Sequence, residues 1–176
     1  MLFEGVNCMS GETVAAPGTT PEERVVTLWR RFGNNAVGRR IYSLLFGRMV
    51  PYTGTIRPQI EEISPGRAKV ILQDRGAVRN HLNSIHAIAL ANLGELASGL
   101  ALIAAMPKSA KGIVTRLEID YLKKARGTLT AIGEAEVPEA INEPTSLEAR
   151  ATIWNRDGES VATLSVHWLL SPREPA

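Results

Sequence analysis

The sequence predicts one α+β domain in which a curved antiparallel sheet wraps a long apolar helix, with further helices on its N-terminal side. Three observations predict it. The run Ile85 to Met106 is apolar around most of its circumference, so a helix there needs burial on nearly all sides. The segments flanking it alternate apolar and polar residues with the period of two that marks half-buried strands. A chain of 176 residues is long enough for one substantial core and too short for two comfortable ones.

The elements follow in order. Residues 1–19 are rich in Gly, Ala, Thr and Ser without period and end in "AAPGTTP", the composition of a flexible arm. "TPEE" then opens a helix: Thr20 is the N-cap, Pro21 the first position and Glu23 the closing partner of a capping box. Val25, Leu28, Trp29, Phe32 and Val37, resuming with Ile41, Leu44 and Leu45, keep helical spacing, and "FGNN" breaks the run in two. Residues 20–50 are therefore a helical extension. Trp29, Phe32, Tyr42 and Phe46 read as core packing before they read as the wall of a pocket. The pairs Arg30, Arg31 and Arg39, Arg40 read as a solvated face before they read as a phosphate or membrane-surface patch.

From Tyr52 the period changes. Ile56 to Ile63 and Ala68 to Gln73 are strand-like and joined at "SPGR", a hairpin signal. The apolar helix comes next. His86, Asn92, Glu95 and Ser98 interrupt it and leave "LASGLALIAAM", well short of the roughly 20 apolar residues of a membrane span. Four more strands are expected at 113–122, 128–137, 147–154 and 161–170, linked by "ARG" at Ala125 to Gly127 and by a tight turn, "NRDG", at Asn155 to Gly158. Residues 51–172 form the main domain and 173–176 a tail. A helix laid on one face of a flat sheet would leave Ile88, Leu93, Leu100 or Ile103 in water, whereas a wrapped sheet encloses them. That wrapped arrangement is the hotdog fold.

Composition narrows the function. A formal net charge of +2, with 44% hydrophobic and 22% charged residues, belongs to an ordinary globular protein and gives no argument for nucleic acid. Cys8 stands alone, so an internal disulfide is excluded and a reducing compartment, by default the cytoplasm, is expected. No Cys/His spacing suits a metal, and the N-terminus shows no signal-peptide pattern.

The helix start carries the specific pattern. Asn80, Asn83, His86 and Ala87 are spaced three, three and one apart, and Glu95 lies nine positions past His86. This resembles the hotdog acyl-CoA thioesterases of the phenylacetyl- and 4-hydroxybenzoyl-CoA type, in which a polar Asn or Gln precedes a turn and a His-Gly pair, and an acid follows two turns on. "VTRLEIDYLKKARG" is similar to the strand that follows in them, with Lys124 where proline is usual. The resemblance covers Tyr52 to Leu170 and is closest to a branch of unknown function labelled tetrameric acyl-CoA thioesterase, which also has extra N-terminal helices. It implies lipid metabolism, a homodimer or dimer of dimers, and an acyl-CoA substrate with no separate cofactor. Two departures stand out. Ala87 replaces the usual Gly, and Asn83 replaces a turn Gly, which its tolerance of left-handed backbone permits. The Ser or Thr one turn past the acid falls at Gly99, with Ser98 beside it as a substrate contact.

The chemistry needs donors for an oxyanion and a carboxylate that acts as nucleophile or general base. The Ala87 N–H at the helix start and the Asn80 side-chain amide are the donors, and Glu95 is the acid. His86 joins this set, more naturally by orienting the loop than by touching substrate. Asn83 lines the same turn. Lys123, Lys124 and Arg126, with Arg79 a further candidate, could hold the phosphates of coenzyme A, with a solvated strand end as the alternative. Ala87 and Glu95 are eight residues apart, about 12 Å along a helix, yet both must come within about 3 Å of one reacting group. Two copies related by a two-fold axis solve this, Glu95 of one facing Asn80 and Ala87 of the other, with the strand at Ile113 to Leu122 pairing with its mate. His167 is assigned no function. Two other readings remain open. A hydroxyacyl dehydratase would use His81 and Glu95, fourteen apart, although its loop is normally proline-rich and 82–94 has no proline. A non-catalytic acyl-CoA-binding module would keep the cavity without turnover, which Ala87 and Gly99 favour.

Overall fold

The structure is a computed structural model that describes residues 20–173. The predicted arm with Cys8, and residues 174–176 of the predicted tail, lie outside the described residues. Helix α1 (Pro21–Phe32) starts at the capping box: the Glu23 N–H donates to Thr20 Oγ1 and the Thr20 N–H to the Glu23 carboxylate, both at 3.2 Å. Helix α2 (Ala36–Met49) begins at Asn35, whose Oδ1 accepts from the Gly38 N–H at 2.9 Å, so "FGNN" does split the helical run. A single turn, α3 (Pro51–Gly54), leads into the hairpin of β1 (Gln59–Ser64) and β2 (Arg67–Leu72), turned at Gly66 with φ 77°. Then come the central helix α4 (Ala87–Ala105), β3 (Ala110–Tyr121), β4 (Leu129–Ala135), β5 (Thr145–Trp154) and β6 (Ser160–Pro172).

The six strands form one antiparallel sheet in the order β1-β2-β4-β5-β6-β3. The sheet curls around α4, which lies chiefly against β4, β2 and β5. This is the expected hotdog arrangement. Leu93 and Leu100 are fully enclosed and Ile103 is half-buried, while Ile88 stays 54% exposed, so the wrapping is incomplete along one strip. By length and composition α4 could cross a membrane, but two-thirds of it is buried in the fold.

The helical spacing of the apolar residues holds, but one of their stripes stays outside the core. Tyr42 and Phe46 are buried and Trp29 and Phe32 pack against the core, but Val37, Ile41 and Leu44 are 67%, 42% and 60% exposed. Successive helical residues are 100° apart, so α2 carries two apolar stripes on nearly opposite faces, and only the aromatic one turns inward.

The sheet reaches α4 closely because β4 has no side chain at Gly133, where a Cβ would lie 2.1 Å from the Ala97 carbonyl. Gly133→Ala is therefore expected to force helix and sheet apart and cost about 3 kcal/mol. The melting temperature should fall by roughly 6–12 °C. An unchanged melt would show that the contact yields.

Candidate active site

The loop before α4 is held by its own polar groups. Asn80 Oδ1 accepts from the Leu82 N–H at 3.0 Å, the Ser84 N–H at 3.2 Å and the Ser84 hydroxyl at 3.1 Å. These three donors fix the amide orientation and leave Nδ2 without a partner among the described residues. Asn83 takes the left-handed conformation, φ 55°, and accepts from Arg79 Nη1 at 3.1 Å. Arg79 also donates to Asp74 at 2.6 Å, and Asp74 accepts the Gly127 N–H at 2.7 Å. The Arg79 guanidinium, followed by the Gly127 N–H, holds the Asp74 carboxyl below its usual range. Arg79 thus braces the loop, and its charge is already matched.

His86 is the N-cap of α4: its Nδ1 accepts from the Ile88 N–H at 3.1 Å. That is an orienting role, as its position suggested. The Ala87 N–H, next along, has no partner among the backbone bonds of the described residues, while the Ala87 carbonyl accepts from the Tyr121 hydroxyl at 3.2 Å. The Ile85 N–H donates to the Ala125 carbonyl at 2.8 Å, which ties the segment of Lys123, Lys124 and Arg126 to this loop. All three side chains are exposed, and Lys123 is paired with Glu159 at 2.6 Å.

Glu95 lies on the strip of α4 that the sheet leaves open. It faces a cavity of about 310 Å³ lined by Tyr52 and Thr53 of α3, Ile88 and Asn92 of α4, and Leu117 of β3. Among the described residues its carboxylate forms no ion pair or hydrogen bond, and burial pushes the carboxyl above the usual 4.5. A second cavity of about 220 Å³ at the start of α4 is lined by Tyr52, Thr55, Val78, Arg79, His86 and Asn92, among others. A hollow of about 380 Å³ between α1 and the far end of α4, beside Glu23, Lys108 and Arg173, holds none of the predicted site residues.

The predicted residues therefore fall into two groups on one chain. Asn80, Asn83, His86, Ala87 and the basic segment gather at the helix start. Glu95 sits two turns away on an unbroken helix, about 12 Å along the axis. Ser98 belongs to neither, which corrects its assignment to substrate: it is fully buried and its hydroxyl donates to the Gly94 and Glu95 carbonyls at 3.0 and 3.1 Å. At Gly99 a Cβ would meet Trp168 at 3.5 Å and Glu95 Oε1 at 3.8 Å, ordinary contact distances, so the missing hydroxyl has room. His167 bonds Glu118 at 3.0 Å away from these residues.

Two residues join the site that sequence reading passed over. Asn92, 8% exposed, lines both cavities, gives Nδ2 weakly to the Tyr52 carbonyl at 3.4 Å, and leaves Oδ1 buried without a partner among the described residues. Its signal was visible as a polar break three residues before Glu95, the helical spacing that shares a face. Tyr52 lines both cavities as well, with only a change of period to mark it.

The family model described as a domain of unknown function, DUF4442, matches residues 38–170. The chain belongs to that family. A structural-genomics crystal structure is similar to this DUF4442 chain with a TM-score of 0.75 at 27% identity, over 85% of this chain and 99% of that one. A probable thioesterase from Pseudomonas aeruginosa has a TM-score of 0.63 at 21% identity, over 74% and 93%. A thioesterase family protein from Silicibacter pomeroyi has 0.62 at 19%, over 78% and 100%. These likenesses establish the hotdog fold for the DUF4442 chain. Among the curated proteins none matches it.

The raised Glu95 pKa has a stability consequence. A carboxyl whose folded pKa lies above its unfolded value binds extra protons in the fold, so its contribution is fully present below 4.5 and is lost as pH rises through the folded pKa. Glu95→Gln should melt above the parent at neutral pH, and the difference should vanish below about 4.5. Equal melts at every pH would mean that Glu95 is not desolvated.

Proposed function

We propose that this protein is an acyl-CoA thioesterase that works as a symmetric dimer in a reducing compartment. The observation that carries the reading is Glu95: a half-buried carboxylate with no ion partner among the described residues, facing a cleft at the one open strip of the central helix. The thioesterase names of proteins sharing the fold add support.

In this reading Glu95 either attacks the thioester carbonyl or takes a proton from the water that does. Its raised pKa makes it a stronger base toward that proton than an exposed carboxylate. The oxyanion that forms takes hydrogen bonds from the Ala87 N–H and the Asn80 Nδ2 of the other subunit, with the positive end of α4 behind them. Its collapse breaks the C–S bond and expels the coenzyme A thiolate, which takes up a proton; direct attack leaves an acyl–Glu95 anhydride that water then hydrolyses. The edge of the sheet supports the dimer. Among the described strands β3 bonds only to β6, and it exposes Ile113, Val114, Leu117 and Tyr121, a long apolar edge that an isolated domain tolerates badly. Pairing β3 with its symmetry mate continues the sheet, and Leu117, which lines the Glu95 cavity, puts the partner beside that carboxylate. Lys124 and Arg126, with Lys123, are placed to meet the phosphates of coenzyme A. His81 is exposed in the loop, and nothing in its surroundings favours the dehydratase reading.

Incubation with a panel of acyl-CoAs should release free thiol, and Glu95→Gln should abolish the release. Asn80→Asp keeps the Oδ1 acceptor that holds the loop but removes the Nδ2 donor, so it should cost about 10²–10³ in rate with little change in melting temperature. A mixed dimer of the two variants rebuilds one intact site of two and should recover about half of the parent rate. No recovery would refute a shared site. Tight acyl-CoA binding without thiol release would make the protein a binding module.

A further inference from the structure

The outward face of α2 has no role in the proposed chemistry and no partner among the described residues. Val37, Ile41 and Leu44 stand at positions i, i+4 and i+7, so their side chains form one stripe, and they are 67%, 42% and 60% exposed. Met49, Val50 and Tyr52, all exposed, continue the apolar surface past the end of the helix. A patch of this kind rimmed by polar groups marks a contact surface. The charged residues of α2 itself are all arginines. Arg40 flanks the stripe and Arg48 falls within it by helical angle, and both are exposed.

The charge of the sequence that contains it is equally one-sided. From residue 24 to residue 60 the chain has seven arginines and no Asp, Glu or Lys. With the whole chain at +2, the remaining residues total −5. Of the seven, only Arg39 forms an ion pair among the described residues, with Glu61. Arg57 also stands close enough to Arg75 to depress the latter's pKa, after the effect of burial.

We propose that this face of α2, with the Met49 to Tyr52 turn, docks onto an anionic lipid surface. Apolar side chains enter the headgroup boundary while arginines around them meet lipid phosphates, the combination by which an amphipathic helix lies in a membrane interface. A second copy of the chain fits the face poorly. A two-fold contact would set Arg40 and Arg48 against their own images with no carboxylate on α2 to separate them. If the thioesterase reading also holds, docking puts Tyr52, which lines both cavities, at the boundary where amphiphilic acyl compounds collect.

The test is co-sedimentation of the full chain with vesicles of equimolar phosphatidylcholine and phosphatidylglycerol, against vesicles of phosphatidylcholine alone. It needs no substrate, so its result is separate from that of the activity assay. The protein should pellet with the anionic vesicles at low salt and release at high salt. The double variant Arg40→Glu, Arg48→Glu should weaken the partition at least about tenfold, as should Ile41→Asp, with melting temperature and solution mass unchanged. The proposal is overturned by no partition onto anionic vesicles, by equal partition onto neutral ones, or by indifference to both variants. A solution mass that drops on Leu44→Asp would assign the face to a second copy and overturn it too.

Discussion

The organising constraint is that α4 is apolar on nearly every side and must be enclosed, and the sheet that encloses it runs out of strands. Gly133 lets β4 press its backbone against the helix at Ala97, and β1, β2, β5 and β6 continue the wrap. At β3 the sheet ends in an unpaired edge. Between that edge and α3 one strip of α4 stays uncovered: Ile88, Ala91, Asn92 and Glu95, with Gly99 following under Trp168. Glu95 and Asn92, the polar side chains of α4 that face a cavity, lie along that strip.

Polar groups on and around the helix divide into two kinds. In the preceding loop they satisfy each other: Asp74 with Arg79 and Gly127, Arg79 with Asn83, Asn80 with Ser84. Along the open strip they do not. Asn92 Oδ1 and the indole N–H of the neighbouring Trp168 are buried without partners, and Glu95 is desolvated without a counter-ion. Each such group costs on the order of 1–3 kcal/mol. The loop's polar residues stabilise a shape, whereas those on the strip weaken the fold, the pattern expected of a functional site, and in the proposed dimer a ligand or the second subunit would complete them.

The fold was largely legible in the sequence because its signals are local and periodic. The capping box at Thr20, the Pro-Gly turn before Arg67, the left-handed Asn83 and the turn at Asn155 each specify geometry within four residues. What sequence left out depends on neighbours distant in the chain. Helical spacing in α2 shows that Val37, Ile41 and Leu44 share a face, but Tyr42 and Phe46 share another, and only the packed structure chooses between them. Ser98 looked accessible because it adjoins Gly99, yet one residue is 100° of helix rotation, enough to carry it from the open strip into the core. Asn92 read as a mere break in an apolar run, since nothing local says that Tyr52, forty residues earlier, packs against it.

The same geometry makes the β3 edge more than a means of association. On one chain the carboxylate and the helix start are about 12 Å apart and cannot meet on a single carbonyl. In the proposed dimer the distance that matters runs from Glu95 of one subunit to Asn80 and Ala87 of the other, and it is set by the register in which two β3 strands pair. A slip of two residues preserves which side chains face the helix and so costs little in pattern, but it moves the partner by about 6.8 Å, more than twice the roughly 3 Å within which catalytic groups must converge. Register must therefore be fixed by something other than alternation. The irregularity between Val114 and Arg116 on β3 is suited to that, since a bulge interrupts the ladder at one place and leaves a single alignment in which both edges remain paired.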